Sequence, residues 1–201
     1  MIHEELYVFD AAVRAERGAL LCGVDEAGRG PLCGPVCCAA VILRPESRFD
    51  GLTDSKKVTE KRRETLYGEI VRDAVCWAAV LVDSKTIDDI NILQATMRGM
   101  AAAVAQLGSV PDLVLVDGNR LPALQVPGKP LVHGDATSAC IAAASILAKV
   151  TRDRYMLELD RKYPQYGFAQ HKGYPTQAHY EAIGRYGICE EHRRSFLKGR
   201  I

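Results

Sequence analysis

The sequence predicts an α/β fold in which a mixed five-stranded sheet is flanked by helices. Three apolar segments of strand length come first, and a helix, two more strands and a helix follow them. The C-terminal part has no clear strand pattern, so we expect it to form a helical lobe. A chain of 201 residues can build one substantial core with a small lobe attached to it.

The elements of the first half are read from apolar spacing and from turn residues. Apolar residues at helical spacing predict an amphipathic helix over residues 3–17, and a second helix near 59–73 is predicted to have Thr59 as its N-cap. Strands are predicted at three places: residues 20–25, 34–43 and 74–82.

The second half begins with a long helix that is predicted to start at Ser84 or Thr86 and to end at Gly108. Strands are predicted over 113–116 and 130–133, the first as a continuous apolar run of the kind found in buried strands. Two further helices are predicted: an Ala-rich one from Ser138 to Tyr163, before Pro164, and one capped by Thr176 that reaches about 185.

The composition is that of an ordinary soluble globular protein, with 48% apolar and 25% charged residues. No apolar stretch approaches the roughly 20 residues that span a bilayer. Residues 1–17 carry several charges and therefore lack the apolar region of a signal peptide. We expect a cytoplasmic protein that does not act at a membrane.

Seven cysteines are present, and most of them lie inside apolar runs. Small buried thiols are typical of such positions. The sequence contains no Cys-x-x-Cys pair, so we expect reduced thiols and no zinc site.

The net charge of +1 conceals an acidic body and a basic C-terminal part. Residues 149–201 hold 11 basic and 6 acidic residues. Such a part could contact phosphates, although many solvated surfaces have the same character. For five basic residues the sequence leaves two interpretations open, phosphate contact and solvated surface charge. These residues are Lys56, Lys57, Arg193, Arg194 and Lys198.

Carboxylates follow three of the predicted strands. Asp25 and Glu26 end the first strand, Asp117 ends the buried one, and Asp135 follows the last. A single acid at a strand end is usually a solvated turn residue, but repetition on three strands points to a shared site at one edge of the sheet. Four converging acids need counter-charge, and two divalent cations would supply it and support phosphoryl transfer.

Six segments give the chain a resemblance to a known family, and they keep the family's order from residue 23 to residue 196. The segments are Gly23–Pro31 (GVDEAGRGP), Leu52–Lys57 (LTDSKK), Val116–Asn119 (VDGN), Ile141–Asp153 (IAAASILAKVTRD), His171–Tyr174 (HKGY) and His192–Phe196 (HRRSF). The chain resembles ribonuclease HII, the type 2 ribonuclease H family.

The resemblance implies an RNase H-like fold with a catalytic domain over 1–155 and a C-terminal helical, substrate-binding extension over 156–201. It also implies metal-dependent endonucleolytic cleavage of the RNA strand of RNA–DNA hybrids, and cleavage at ribonucleotides embedded in duplex DNA, as in ribonucleotide excision. We expect Mg²⁺ or Mn²⁺ as cofactor, products with 5′-phosphate and 3′-hydroxyl ends, and a monomeric enzyme.

The resemblance also assigns roles to residues. Asp25, Glu26, Asp117 and Asp135 match the catalytic metal ligands. The turn of Gly28, Arg29 and Gly30 matches the one whose backbone senses the ribose 2′-hydroxyl, the group that distinguishes RNA from DNA. Tyr174 matches the tyrosine that packs on the following deoxyribose, and four basic residues complete the expected substrate contacts: Lys56, Lys57, His171 and Lys172.

Three other function classes fit the sequence less well. A nucleotide-binding oxidoreductase is disfavoured because Gly28, Gly30 and Gly34 miss the G-x-G-x-x-G spacing and Pro31 and Pro35 interrupt any helix there. A non-catalytic RNA–DNA binding module would not need four acids that repel a polyanion. A different nuclease of the same fold, such as a junction resolvase or a type 1 ribonuclease H, does not account for the Gly-Arg-Gly turn and the Tyr174 loop.

Overall fold

The computed structural model describes residues 1–18 and 20–199. Five strands form one sheet in the order β3-β2-β1-β4-β5. β1 pairs antiparallel with β2 and parallel with β4, and β4 pairs parallel with β5. The predicted mixed five-stranded sheet is therefore confirmed. The strands are β1 (Leu21–Ala27), β2 (Val36–Ile42), β3 (Cys76–Val82), β4 (Leu113–Asp117) and β5 (Gly128–Leu131).

Seven α-helices are found in the described part of the chain, and the last three lie in the C-terminal region that was predicted to be helical. They are α1 (Glu4–Arg17), α2 (Glu60–Asp73), α3 (Ser84–Ala105), α4 (Ala139–Lys162), α5 (Phe168–His171), α6 (Gln177–Tyr186) and α7 (Arg194–Leu197). No helix among the described residues is long and apolar enough to span a membrane.

The sheet is covered on both faces because its central strands alternate between two apolar clusters. Leu21 of β1 and Leu115 of β4 pack with α4, α2 and α1 on one face. Cys22 of β1 and Val114 of β4 pack with α3 on the other. Burial on both faces explains the continuous apolar runs of β1, β2 and β4.

Helix α4 is held very close to β1, and Gly23 permits this approach. A Cβ atom at Gly23 would lie 2.1 Å from the backbone carbon of Cys140. Any larger residue would push the helix away from the sheet. Gly23, two residues before Asp25 in the same strand, therefore sets the distance between the helix and that end of β1.

Two predicted helix caps, Thr59 and Thr176, and the predicted helix start at Ser138 are confirmed by hydrogen bonds. Thr59 accepts from the Arg62 N–H, Ser138 from the Ile141 N–H and Thr176 from the His179 N–H. Each side chain satisfies one of the N–H groups that the first helical turn leaves without a partner.

The start and the continuity of α3 differ from the prediction. Asp83, rather than Ser84 or Thr86, is the N-cap, and its Oδ1 accepts from the Thr86 N–H at 2.7 Å. The helix is also interrupted at Asn91, which has φ 66°. The Asn91 side chain accepts from the Gln94 N–H at 3.1 Å, so it caps a second helical segment.

We expect Asp83→Ala to lower the free energy of unfolding by about 1 kcal/mol, since a helix N-cap is lost. The hydrogen bond from the Thr86 backbone lowers the pKa of Asp83. The contribution of a carboxylate with a lowered pKa is present at neutral pH and is lost as the pH falls through its folded-state pKa. The difference between wild type and variant, measured by urea denaturation, should therefore shrink below about pH 4. The neighbouring exposed residue provides the control Lys85→Ala, and an equal loss in that variant would contradict the assignment of the cap.

Candidate active site

The parallel pairing of β1, β4 and β5 brings the acid-bearing strand ends to one edge of the sheet. Val24 of β1 lies opposite Val116 of β4, so Asp25 and Asp117 follow at matching positions. Asp117 Oδ1 accepts a hydrogen bond from the Gly134 N–H at 2.7 Å. This bond joins the end of β4 to the 3₁₀ turn Gly134–Ala136, which carries Asp135.

The carboxylates are close enough for neighbouring charges to help raise the pKa of Asp25, Glu26 and Asp135. Burial raises the pKa of Asp25 well above its usual value, and the charges of Glu26, Asp117 and Asp135 raise it further. Burial likewise raises the pKa of Glu26, and Asp117 adds to the effect. For Asp135 the causes are burial, then Asp54 and Asp117. The sheet edge thus concentrates negative charge in a partly desolvated place.

Among residues 1–18 and 20–199, two cations lie near enough to these acids to offset their charge. Arg29 Nη1 lies 3.6 Å from Glu26 Oε1, and half of the Arg29 side chain is exposed. Lys56 is exposed. Its partial desolvation lowers its pKa, but the charges of Asp54, Asp135, Asp25 and Asp117 together raise it above the usual value. Two solvent-exposed cations do not balance four or five acids, so the carboxylates are not locked into ion pairs.

The donor set fits a hard divalent cation. Carboxylate oxygens are the ligands that Mg²⁺ and Mn²⁺ prefer, and the mutual repulsion of these groups would be relieved by a dication. No three of the acids, among the described residues, place one oxygen each within 4.8 Å of one another. Binding an ion would therefore require the carboxylates to move inward.

Asp54 is an acid of this region to which sequence reasoning gave no role. Its charge contributes to the raised pKa of Asp135, and its Oδ1 accepts from the Lys56 N–H at 3.0 Å. Asp54 thus lies beside Asp135 at the start of the 3₁₀ turn Ser55–Lys57, which presents Lys56 and Lys57 to solvent. Asp54 belongs to the segment Leu52–Lys57, one of the six that carry the family resemblance, and this was the only sequence feature that could have indicated a role for it.

The Gly-Arg-Gly turn lies directly after β1 and next to the Tyr174 loop. Gly28 has φ +94°, and a Cβ there would lie 2.0 Å from Arg152 Nε. The Tyr174 ring approaches the other glycine, since a Cβ on Gly30 would be 3.8 Å from Tyr174 Cε1. The Leu32 N–H donates to the Gly173 carbonyl at 2.8 Å and ties the two loops together.

Two fully buried arginines support these loops from below, and each donates to three backbone carbonyls. Arg193 bonds to the carbonyls of Gly28, Arg29 and Gly34 at 2.7, 3.0 and 2.9 Å. Arg152 bonds to those of Pro35, Lys172 and Cys33 at 2.9, 3.0 and 3.2 Å. Neither guanidinium lies within salt-bridge distance of a described carboxylate. Arg193, for which phosphate contact or a solvated surface position was expected, is an internal brace instead.

The remaining basic residues differ in accessibility. Lys56, Lys57, Arg194 and Lys198 are exposed. His171 uses both ring nitrogens inside the chain, toward the Tyr166 carbonyl and the Gly173 N–H. Lys172 donates its ammonium group to the Ala169 carbonyl. The exposed lysines beside the acids are thus the side chains best placed to meet a polyanion.

Comparisons with known proteins agree with this architecture. A family model described as Ribonuclease HII matches residues 22–199. The ribonuclease HII of Aliivibrio fischeri (strain MJ11) is 56% identical over 177 residues, which are 88% of this chain and 86% of the relative. The crystal structure of ribonuclease H2 from Pyrococcus horikoshii OT3 is similar with a TM-score of 0.73 and 28% identity, over 90% of this chain and 95% of that one. Bst-RNase HIII in complex with Mn²⁺ shares the fold, with a TM-score of 0.62 and 17% identity, over 92% of this chain and 67% of that one.

We expect Arg193→Met to lower the free energy of unfolding by at least about 3 kcal/mol, because three buried carbonyls lose their donor. Urea denaturation followed by circular dichroism measures this loss. Arg194→Met is the matched control, since the neighbouring side chain is exposed and its replacement should cost no more than about 0.5 kcal/mol. Equal, small losses in the two variants would show that Arg193 is not a brace.

Proposed function

The chain belongs to the ribonuclease HII family, and we propose that Asp25, Glu26, Asp117 and Asp135 form the active site of this metal-dependent ribonuclease. The family cleaves the RNA strand of RNA–DNA hybrids. The observation that carries the proposal is the convergence of these acids at the ends of parallel strands, where burial and mutual repulsion raise the pKa of Asp25, Glu26 and Asp135. Buried carboxylates that repel one another lower the stability of the fold, and bound cations would relieve this repulsion.

The proposed cofactor is a pair of Mg²⁺ or Mn²⁺ ions held by the four carboxylates. When bound, such ions neutralise the scissile phosphate and activate water for phosphodiester hydrolysis. A neighbour of the same fold is described in complex with Mn²⁺, which supports hard-metal binding here. Hydrolysis in this manner leaves 5′-phosphate and 3′-hydroxyl ends.

The residues around the acids would orient the nucleic acid. Lys56 and Lys57 are exposed on the turn beside Asp135 and would contact phosphates, which position a duplex without reading its sequence. The N–H groups of Arg29 and Gly30 make no hydrogen bond to another described residue, whereas the carbonyls of Gly28 and Arg29 are occupied by Arg193. We therefore assign the reading of the 2′-hydroxyl oxygen to these free N–H groups.

Tyr174 would provide the complementary test on the other side of the cut. Its ring is 40% exposed and lies against Gly30. The turn would bind the 2′-hydroxyl of one ribose, and the next sugar would pack on the Tyr174 ring. That second sugar would fit best as a deoxyribose, which has no 2′-hydroxyl. The two contacts would select an RNA-to-DNA junction, and hence single ribonucleotides in duplex DNA, as substrate. The proposed enzyme acts as a cytoplasmic monomer.

We expect Asp25→Asn to reduce hybrid cleavage by more than about 100-fold while the metal-free protein becomes no less stable. The raised pKa of Asp25 means that its negative charge opposes folding at neutral pH, so a neutral isostere relieves repulsion. The Asn oxygen can still accept from the Glu26 N–H, as Asp25 does at 2.7 Å. Cleavage of a labelled hybrid and urea denaturation in the presence of chelator measure the two effects.

The matched control is Asp112→Asn. Asp112 precedes β4, at the opposite end of the strand from Asp117, and accepts from the Leu20 N–H at 2.9 Å. We expect this variant to cleave as wild type does. Near-normal turnover by Asp25→Asn, or an equal loss in Asp112→Asn, would refute the assignment of the site.

For Tyr174 we expect that Tyr174→Ala weakens cleavage at a single embedded ribonucleotide at least as much as cleavage within a long hybrid. The reason is that a single ribonucleotide offers only one register in which the ring can meet a deoxyribose. Steady-state rates on the two substrates are compared, and the cut position is mapped on a sequencing gel. Tyr174→Phe keeps the ring and should retain activity on both substrates. Negligible losses on both substrates in Tyr174→Ala would remove the ring from the mechanism.

A further inference from the structure

Two thiols and an imidazole lie close together near the substrate loops, which are the Gly-Arg-Gly turn and the Tyr174 loop. Cys33 and His192 are buried, and Cys189 is partly exposed. One ligand atom of each residue lies within 4.8 Å of those of the other two. Cys33 and His192 also form an isolated antiparallel bridge between their backbones. The cluster thus joins the segment after the Gly-Arg-Gly turn to the segment that carries Arg193.

The hydrogen bonds of the histidines determine which ring nitrogen faces the sulfurs with a lone pair. His179 Nδ1 lies 3.0 Å from the Tyr174 carbonyl, which can only accept, so this nitrogen carries the proton. His179 is fully buried and forms no ion pair with a described carboxylate, so its ring is neutral and its Nε2 accepts. His192 Nε2, at 3.1 Å, must then be the donor, and His192 Nδ1 accepts from the Cys189 N–H at 3.0 Å.

The contact between His192 and Cys189 therefore needs a proton or a cation. Nδ1 of His192 is 3.1 Å from Sγ of Cys189, and the nitrogen presents a lone pair. A thiolate facing an imidazole lone pair is unfavourable by itself and becomes favourable when a cation binds both.

The spacing and the polarity of the cluster suit a soft metal ion. In a tetrahedral zinc site the S and N ligands are about 3.5–3.8 Å apart, as the usual Zn–S and Zn–N bond lengths require. The cluster reaches that spacing with small movements of its side chains. Metal-ligating histidines almost always donate their second N–H to an acceptor, and His192 does so to His179, which in turn donates to Tyr174.

We propose that Cys33, Cys189 and His192 form a binding site for one Zn²⁺ ion, separate from the carboxylate site. The two thiols release their protons to solvent on binding, so the dication and two thiolates sum to zero charge in a buried place. The Cys189 N–H loses its bond to Nδ1 and is free to turn toward a sulfur. Three protein ligands leave the fourth position to water. Partly exposed Cys189 marks the entrance.

The proposed ion would fasten the C-terminal segment to the substrate loops. Cys33 lies three residues after Gly30, and His192 immediately precedes Arg193, which holds the carbonyls of the Gly-Arg-Gly turn. The His179 link reaches the backbone of Tyr174. Binding at the cluster should therefore stabilise the folded protein, since the ion binds the assembled cluster in preference to the unfolded chain.

The test uses the full chain, reduced with a phosphine, freed of metal and held in excess Mg²⁺ to occupy oxygen sites. Co²⁺ titration is expected to produce a sulfur-to-cobalt charge-transfer band and tetrahedral visible bands at one ion per chain. One equivalent of Zn²⁺ should abolish the visible bands. Zn²⁺ should also raise the melting temperature and protect the partly exposed Cys189, but not the partly exposed Cys76, from alkylation mapped by mass spectrometry.

Variants separate the cluster from other thiols. Cys189→Ser is expected to weaken Zn²⁺ affinity by at least about 100-fold and to lose the rise in melting temperature, whereas Cys76→Ser should behave as wild type. If Cys189→Ser does not fold, the cobalt spectrum and the alkylation map of the wild type decide the question. No sulfur-to-cobalt band, unchanged affinity in Cys189→Ser, or a Cys33–Cys189 disulfide in a protein that takes up no Zn²⁺ when reduced would overturn the proposal.

Discussion

The repulsion among carboxylates at one edge of the sheet is the constraint on which the rest of the structure depends. Asp25 is 5% exposed, and the charges of Glu26, Asp117 and Asp135 act on it. An arrangement of this kind must be held by the surrounding fold, because the acids themselves oppose it. The parallel strands β1 and β4 hold two of them, and the bond from Gly134 to Asp117 holds the turn of Asp135.

The loops beside this edge are stabilised by a different device. Arg152 and Arg193 saturate six backbone carbonyls of chain segments that have glycine where a side chain would block the approach. A guanidinium suits this task because its donors point in fixed directions in one plane. Since the carbonyls of Gly28 and Arg29 accept from Arg193, the proposed contact to a ribose is made by the N–H groups of the turn. The brace therefore decides which backbone groups can take part in recognition.

The sequence predicted the features that depend on local pattern and on strand direction. Apolar runs located the strands, and the acids after three of them were expected at one edge, where the structure brings them. Arg193 was not predicted as a brace, because nothing local distinguishes a buried arginine from a solvated one. Its partners Gly28 and Gly34 are about 160 residues away and become visible only when the chain is folded. The contact between Cys33 and Cys189 was not predicted for the same reason, because these residues are also far apart in the sequence. The zinc prediction depended on Cys-x-x-Cys pairs alone, and the two cysteines do not form one.

Helix α4 sets the distance between the carboxylates and the Tyr174 loop. Its first turn packs against the acid-bearing turn, since a Cβ on Gly134 would lie 2.5 Å from Ile141 Cδ1. Arg152, eleven positions later and about 16 Å further along the axis, lies beneath Gly28 and bonds to the Lys172 carbonyl. A single helix thus extends from the acid-bearing turn to the Tyr174 loop. The predicted division of the chain at residue 155 falls inside this helix, so the catalytic part and the C-terminal extension share it. In the proposed mechanism, this helix would set the distance between the sugar at the carboxylates and the sugar on the Tyr174 ring.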